Sequence, residues 1–124
     1  MKSNELIIGD WVYRPDCYDQ VKEIRHTGII GIDNMRGLII FSELEPIPLT
    51  PKILEKNGFK YKEGETGMYG VTTAPHYICD GVPFEVFCDG EPFAIWFKEP
   101  INIKFVHQFQ HALRLCGIEK EIEL

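Results

Sequence analysis

The sequence lacks the motifs that mark the common nucleotide-binding and hydrolytic sites. Its 124 residues contain no Gly-x-Gly-x-x-Gly fingerprint, no phosphate-binding P-loop and no Gly-x-Ser-x-Gly elbow. No apolar run approaches the roughly 20 residues that span a membrane, and no secretory signal is visible after Met1. From these absences we expect a cytoplasmic protein that binds no cofactor and does not enter a membrane.

Cysteines are few, and basic residues are not clustered. The four cysteines at positions 17, 79, 88 and 116 show no Cys-x-x-Cys spacing, which favours reduced thiols over a disulfide framework. Residues 1–50 carry five Lys or Arg against eight Asp or Glu, and residues 51–124 carry eight against eleven. Because binding to a phosphate backbone usually needs clustered Lys and Arg, we do not expect nucleic acid as a partner.

The chain does contain many short strand patterns, and they are densest in residues 1–48. Residues 4–13 predict two extended runs on either side of a Gly-Asp break. The apolar residues that would share one buried face there are Leu6, Ile8 and Val12. Strands are also predicted at 20–26, with a bulge, and at 28–32 and 38–41, which a five-residue link joins as a hairpin. Four or five short strands suit an SH3-like small β-barrel, which we predict for residues 1–48.

Residues 49–124 predict an antiparallel sheet with two helices. Thr50-Pro51 is typical of a helix start, and Gly58 of a helix end. Strand patterns follow at residues 59–61, 69–73, 76–79, 83–88 and 93–97.

The last predicted element is a helix that ends at Gly117. Its apolar stripe contains Phe105, Phe109, Ala112 and Cys116, while His107, Gln110, His111 and Arg114 fall on the opposite side. Together with the N-terminal region, this pattern predicts an α+β protein with two regions, 1–48 and 49–124, packed as one compact unit.

Two histidines in the last helix suggest one alternative function. His107 and His111 have the i, i+4 spacing that can hold a metal ion. However, Gln108 occupies the position where the His-Glu-x-x-His hydrolase motif has glutamate, so that arrangement is absent. A small metal-dependent enzyme using these two histidines therefore stays an alternative hypothesis.

Aromatic residues offer a binding surface in the N-terminal region. Trp11, Tyr13 and Tyr18 flank the first turns of the predicted barrel, where SH3-like domains often carry rings that contact a ligand. Tyrosine and tryptophan combine a large contact area with a polar tip, which suits an interface. The same rings could instead close the core of the barrel, and both interpretations remain open at this point.

Three segments of the chain together match a known pattern. They are residues 4–12, residues 45–50 followed by Gly58-Phe59, and residues 105–110. In this order they resemble a family of small proteins of uncharacterised function from gut Bacteroidetes, their prophages and mobile elements. That family has the pattern N-E-L-x-x-G-N-x-V, then P-I-P-L-T, then Y-V-H-Q-L-Q. Here Asp10 stands where asparagine is usual, and Phe105 and Phe109 replace tyrosine and leucine.

The resemblance implies an intracellular, phage-derived or mobile-element protein, and it supplies no activity to carry over. It places His107 and Gln108 in a shared motif, so we add both to the candidate partner-binding residues Trp11, Tyr13 and Tyr18. The resulting prediction is a non-enzymatic binding or assembly module with a protein partner, and self-association is compatible with it. An acidic inhibitor that mimics DNA is a further alternative, because the net charge is −6.

Overall fold

The protein is described by a computed structural model over residues 1–14, 17–32, 37–64, 75–88, 93–96 and 102–124. Over these ranges it is α+β, with two antiparallel sheets and a helix near the C-terminus. The strands are β1 (Trp11–Arg14), β2 (Cys17–Ile24), β3 (Gly28–Gly31), β4 (Leu38–Ile40), β5 (Lys60–Lys62), β6 (His76–Cys79), β7 (Val82–Cys88), β8 (Ala94–Trp96) and β9 (Asn102–Ile103). The α-helices are α1 (Pro51–Lys56) and α2 (Val106–Leu115).

Contacts between residues divide the chain into two units. The first unit comprises Met1–Ile47 and Phe105–His107, and the second comprises Pro48–Lys104 and Gln108–Leu124. Each unit contains one sheet.

The sheet of the first unit has the strand order β1-β2-β3-β4, with every neighbouring pair antiparallel. Strand β2 is shared: residues 17–20 pair with β1, and residues 21–24 pair with β3. The register shifts between Val21 and Glu23, so the predicted bulge is confirmed. The predicted strands at 28–32 and 38–41 are confirmed as β3 and β4, and most of the link between them lies outside the described residues.

One apolar cluster fills the first unit. Its buried members are Leu6, Val12, Val21, Ile29, Ile39 and Leu44.

The prediction of a strand over residues 4–8 is wrong, because Ser3–Glu5 forms a 3-10 helix and Ile8 is exposed. The carboxylate of Asp10 accepts a hydrogen bond from the Ile7 N–H at 2.7 Å, and this turn replaces the strand ladder that alternation assumes.

The chain returns to β1 after β4. A 3-10 helix at Phe41–Glu43 follows β4, and Glu45 then forms an isolated antiparallel bridge with Tyr13. The two backbone hydrogen bonds of this bridge measure 2.9 Å from the Tyr13 N–H and 2.8 Å from the Glu45 N–H. Over the described residues the sheet does not close into a barrel, so the first unit is here an antiparallel sheet with one returning bridge.

The sheet of the second unit has the order β5-β6-β7-β8-β9 and is antiparallel throughout. A two-residue turn joins β6 to β7, with Asp80 and Gly81 at φ 52° and 78°, as a type I′ hairpin requires. The strands predicted near residues 60, 77, 85 and 95 are confirmed, whereas the predicted strand at 69–73 lies outside the described residues. Strand β9 was not predicted.

The predicted start and end of α1 and the predicted end of α2 are confirmed, whereas Phe105, which the predicted apolar stripe included, lies before α2. The Thr50 hydroxyl accepts a hydrogen bond from the Ile53 N–H at 3.3 Å, Pro51 opens α1, and Gly58 follows the helix at φ 84°. Gly117 follows α2 at φ 74°. Neither helix of the described chain is long and apolar enough to cross a membrane.

Three phenylalanine rings form the centre of the second unit. Phe59, Phe84 and Phe109 are all fully buried, and their ring centroids lie 6.2 Å (59 to 84), 5.0 Å (59 to 109) and 5.3 Å (84 to 109) apart. Each pair meets edge to face, the arrangement that aromatic quadrupoles prefer. Helix α2 is thereby fixed on β7 and on the segment after α1.

Candidate functional site

The predicted aromatic residues lie on one face of the first sheet. Trp11 and Tyr13 are two residues apart on β1, so their side chains leave the sheet on the same side. Tyr18 of β2 is directly opposite Tyr13 in the register. The two tyrosine rings lie 5.6 Å apart at an angle of 65°, and Tyr13 and Tyr18 are 37% and 55% exposed. These two tyrosines therefore do not close the core.

Two further residues belong to this face. Glu45 is opposite Tyr13 on the side away from Tyr18, so an exposed carboxylate, Tyr13 and Tyr18 follow one another across three chain segments. Gln20 is opposite Trp11, and its side-chain amide donates to the Gly9 carbonyl at 3.2 Å. We name these five residues the aromatic face: Trp11, Tyr13, Tyr18, Gln20 and Glu45.

A buried ion pair supports the aromatic face from the other side of the same two strands. Arg14 and Asp19 point away from the tyrosines, both are nearly inaccessible, and Nη1 lies 3.3 Å from Oδ2. Arg14 also donates from Nε to the Cys17 sulfur at 2.9 Å. Charged groups that are paired inside a protein resist displacement, because breaking the pair leaves an uncompensated buried charge.

Asp19 also joins this hairpin to β3. Its Oδ1 accepts hydrogen bonds from the backbone N–H of Gln20 at 2.8 Å and of Ile32 at 3.1 Å. Gly31 packs directly against the carboxylate, since a Cβ at that position would overlap it. The strands that carry Tyr13 and Tyr18 are thus held by side-chain bonds as well as by the ladder.

The two candidate residues of α2 lie in different surroundings. His107 is only 4% exposed, and its ring stacks on Phe105 with centroids 6.0 Å apart and planes at 11°. The Gln108 side-chain oxygen accepts a hydrogen bond from the Lys104 N–H at 2.9 Å, which caps the start of the helix. Their predicted role in partner binding stays a prediction. In the structure, Gln108 caps the start of α2 and His107 packs against Phe105.

The prediction that His107 and Gln110 fall on a polar helix face is wrong. Both are buried, and the buried arc of α2 is wider than one apolar stripe. It contains Val106, His107, Phe109, Gln110, Ala112 and Leu113.

The described residues contain no group of three or more His, Cys, Asp or Glu side chains that could hold a metal ion. Cys17 and Cys116 are free thiols, and both are half-buried. His111 is half-buried as well. The metal-dependent enzyme using His107 and His111 stays an untested hypothesis.

Comparison of the chain with models of protein families, with curated proteins and with solved structures finds no match. The resemblance to the Bacteroidetes family therefore stays a prediction from its motifs.

Sequence reasoning named three members of the aromatic face, Trp11, Tyr13 and Tyr18, and missed Gln20 and Glu45. No local signal marks Glu45, because its place beside Tyr13 depends on a backbone bridge between residues far apart in the chain. It also missed the ion pair, although a signal exists there. In a hairpin that pairs Tyr13 with Tyr18, Arg14 and Asp19 are diagonal neighbours on the other face.

Proposed function

We propose that the protein is a non-enzymatic binding module that contacts a protein partner through the aromatic face. The observation that carries the proposal is the exposed pair Tyr13 and Tyr18, whose rings are in contact on adjacent strands. Tyrosine supplies a large rigid contact area and loses little conformational entropy on binding, which makes it frequent in protein interfaces. Preorganisation by the ion pair of Arg14 and Asp19 reduces the cost of binding further.

The same proposal includes an SH3-like barrel for the first unit. Three features support it: β2 is shared between two strand partners, a 3-10 helix follows β4, and Glu45 then returns to pair with Tyr13. In such a barrel the face of β1 and β2 that carries Tyr13 and Tyr18 would point outwards, because Val12 on the opposite face is buried in the core. Amide exchange on the Glu45 N–H would test it, since a strand closing the barrel is strongly protected and a frayed bridge exchanges rapidly.

We further propose that the module works in the cytoplasm and is encoded by a mobile element, on the strength of the motif resemblance alone. Self-association through the same face is one form that the protein partner could take.

Affinity capture with matched variants tests the binding proposal. The full-length chain would be used as bait in extract of its native cells, as wild type and as a Tyr13→Ala/Tyr18→Ala double variant. We expect a captured protein to disappear with the double variant, and titration calorimetry with that protein after purification should show at least a tenfold loss, about 1.4 kcal/mol.

Tyr61 offers the matched control. It is also an exposed tyrosine, at 47%, and its ring lies 5.3 Å from Tyr77, which is opposite it in the register. The Tyr61→Ala variant should capture the partner as well as the wild type does. Retention of the partner by the double variant, when its amide spectrum shows a folded chain, would refute the aromatic face as the site.

A further inference from the structure

We infer that the aromatic face takes a positively charged side chain, with arginine preferred, from an extended segment of the partner. The inference rests on the proposed function and adds to it the chemistry of the ligand. It starts from Glu45, the one member of the face that carries a charge.

The geometry places a carboxylate next to two exposed rings. Glu45, Tyr13 and Tyr18 are opposite one another in register, and neighbouring strands are about 4.8 Å apart. The backbones of Glu45 and Tyr18 are therefore roughly 10 Å apart, and Tyr13 lies between them. A guanidinium group placed over a ring within about 6 Å can reach an oxygen of the carboxylate at the same time.

The charge of Glu45 is available for a ligand. Within the described residues its carboxylate has no cationic side chain within ion-pair distance, and the side chain is exposed. The nearest arginine along β1 is Arg14, which points to the opposite face and is paired with Asp19. With the chain at −6 overall, the long-range field also favours a basic segment.

Arginine fits this arrangement better than a proline-rich segment does. Proline rings also pack on tyrosine faces, but they gain nothing from a carboxylate in the same row. The planar guanidinium stacks on an aromatic ring and donates to a carboxylate in the same plane, which lysine cannot do. The position of Glu45 beside Tyr13 thus decides between these ligand chemistries.

The test uses short blocked peptides and the full chain. Gly-Gly-Arg-Gly-Gly would be compared with the same peptide carrying citrulline, a neutral side chain of the same shape, by titration of amide and tyrosine ring resonances. We expect the arginine peptide to shift the resonances of Tyr13, Tyr18 and Glu45 and to bind about threefold to tenfold more tightly than the citrulline peptide. Added salt should reduce that preference.

Two isosteric variants make the test specific. Glu45→Gln should bring the preference for arginine over citrulline close to one. Glu43→Gln, which removes an exposed carboxylate of the neighbouring 3-10 helix, should leave the preference intact. Amide spectra would establish that both variants are folded.

The outcomes separate this inference from the proposed function. Equal binding of the arginine and citrulline peptides, no shift with the arginine peptide at millimolar concentration, or tighter binding of a Gly-Pro-Pro-Gly peptide would each overturn the cation inference. In those cases, loss of the captured partner in the Tyr13→Ala/Tyr18→Ala variant would still support the binding module. Retention of the partner by that variant would overturn both.

Discussion

The side-chain amide of Asn57 exchanges two hydrogen bonds with the backbone of Glu123, as two opposite residues of antiparallel strands do. Its Nδ2 donates to the Glu123 carbonyl at 2.8 Å, and its Oδ1 accepts from the Glu123 N–H at 2.7 Å. Nδ2 also donates to the Ile53 carbonyl at 2.7 Å, so this one buried side chain ends α1 and holds residues 118–124. Ile122, the residue before Glu123, is buried. The Nζ of Lys120 lies over the Phe59 ring, 5.7 Å from its centroid.

Asn57→Ala should loosen this C-terminal segment and lower the stability of the second unit. Three hydrogen bonds are lost and backbone groups stay unpaired, so we expect a loss of about 2 kcal/mol in the free energy of unfolding. Denaturant titration would measure the loss, and the Glu123 amide should exchange faster. Glu123→Ala is the matched control, because Asn57 contacts only the backbone at that position, and it should change stability by less than about 0.5 kcal/mol. Equal effects of the two substitutions would contradict the assignment.

Removing one partner of the buried ion pair should destabilise the first unit strongly. For Asp19→Ala we expect a loss of about 3 to 5 kcal/mol, because Arg14 would stay buried without its counter-ion. The Gln20 N–H would also lose the carboxylate oxygen that it donates to. Fluorescence of Trp11 in a Trp96→Phe background reports on the first unit alone, since the chain has only these two tryptophans. The exposed ion pair of Glu23 and Arg25, with 3.0 Å between Oε1 and Nε, serves as the control. Breaking it with Glu23→Ala should lower the free energy of unfolding by less than about 1 kcal/mol.

Gly31→Ala should destabilise the same unit by steric overlap. A methyl group at residue 31 would collide with the carboxylate of Asp19, and forced overpacking of this kind costs about 1 to 3 kcal/mol. A double-mutant cycle gives the test. In an Asp19→Ala background the added methyl group meets no carboxylate, so the Gly31→Ala substitution should then cost much less. Additive effects would show that the overlap with Asp19 is not the cause.

Phe109→Ala should be the most damaging of the single changes in the second unit. It removes a fully buried ring that contacts both Phe59 and Phe84, and such truncations cost about 3 to 5 kcal/mol. Thermal unfolding of a Trp11→Phe variant, which keeps Trp96 as reporter, would measure the change. Phe109→Leu keeps most of the volume and should cost clearly less. If leucine and alanine are equally damaging, ring geometry rather than volume holds this core together.

Elements controlled by local rules could be predicted from the sequence. The ends of α1 and α2 follow from Thr50-Pro51, Gly58 and Gly117, and the hairpin between β6 and β7 follows from Asp80-Gly81. These signals act within a few residues, so a single sequence contains them in full.

Features that depend on distant partners could not be predicted in the same way. One failure was local: alternation suggested a strand near Ile8, but the Asp10 carboxylate accepts a hydrogen bond from the Ile7 N–H and forms a turn there. Strand β9 has only two residues, too few to show an alternating pattern. His107 is buried although it lies outside the predicted apolar stripe of α2. The candidate site divides similarly: residue type identified Tyr13 and Tyr18, whereas Glu45 entered only through its bridge.

The segment Phe105–His107 belongs to the first unit although it lies far along the chain, and this has a consequence for biosynthesis. The Val106 N–H donates to the Ile47 carbonyl at 2.8 Å, and Val106 is fully buried. At about 5 to 20 residues per second, a ribosome needs roughly 3 to 12 seconds to synthesise the residues between these two. The first unit is therefore incomplete while most of the second is being translated. During that interval β1 to β4 can already pair, but the Ile47 carbonyl lacks the Val106 N–H that bonds to it in the complete chain.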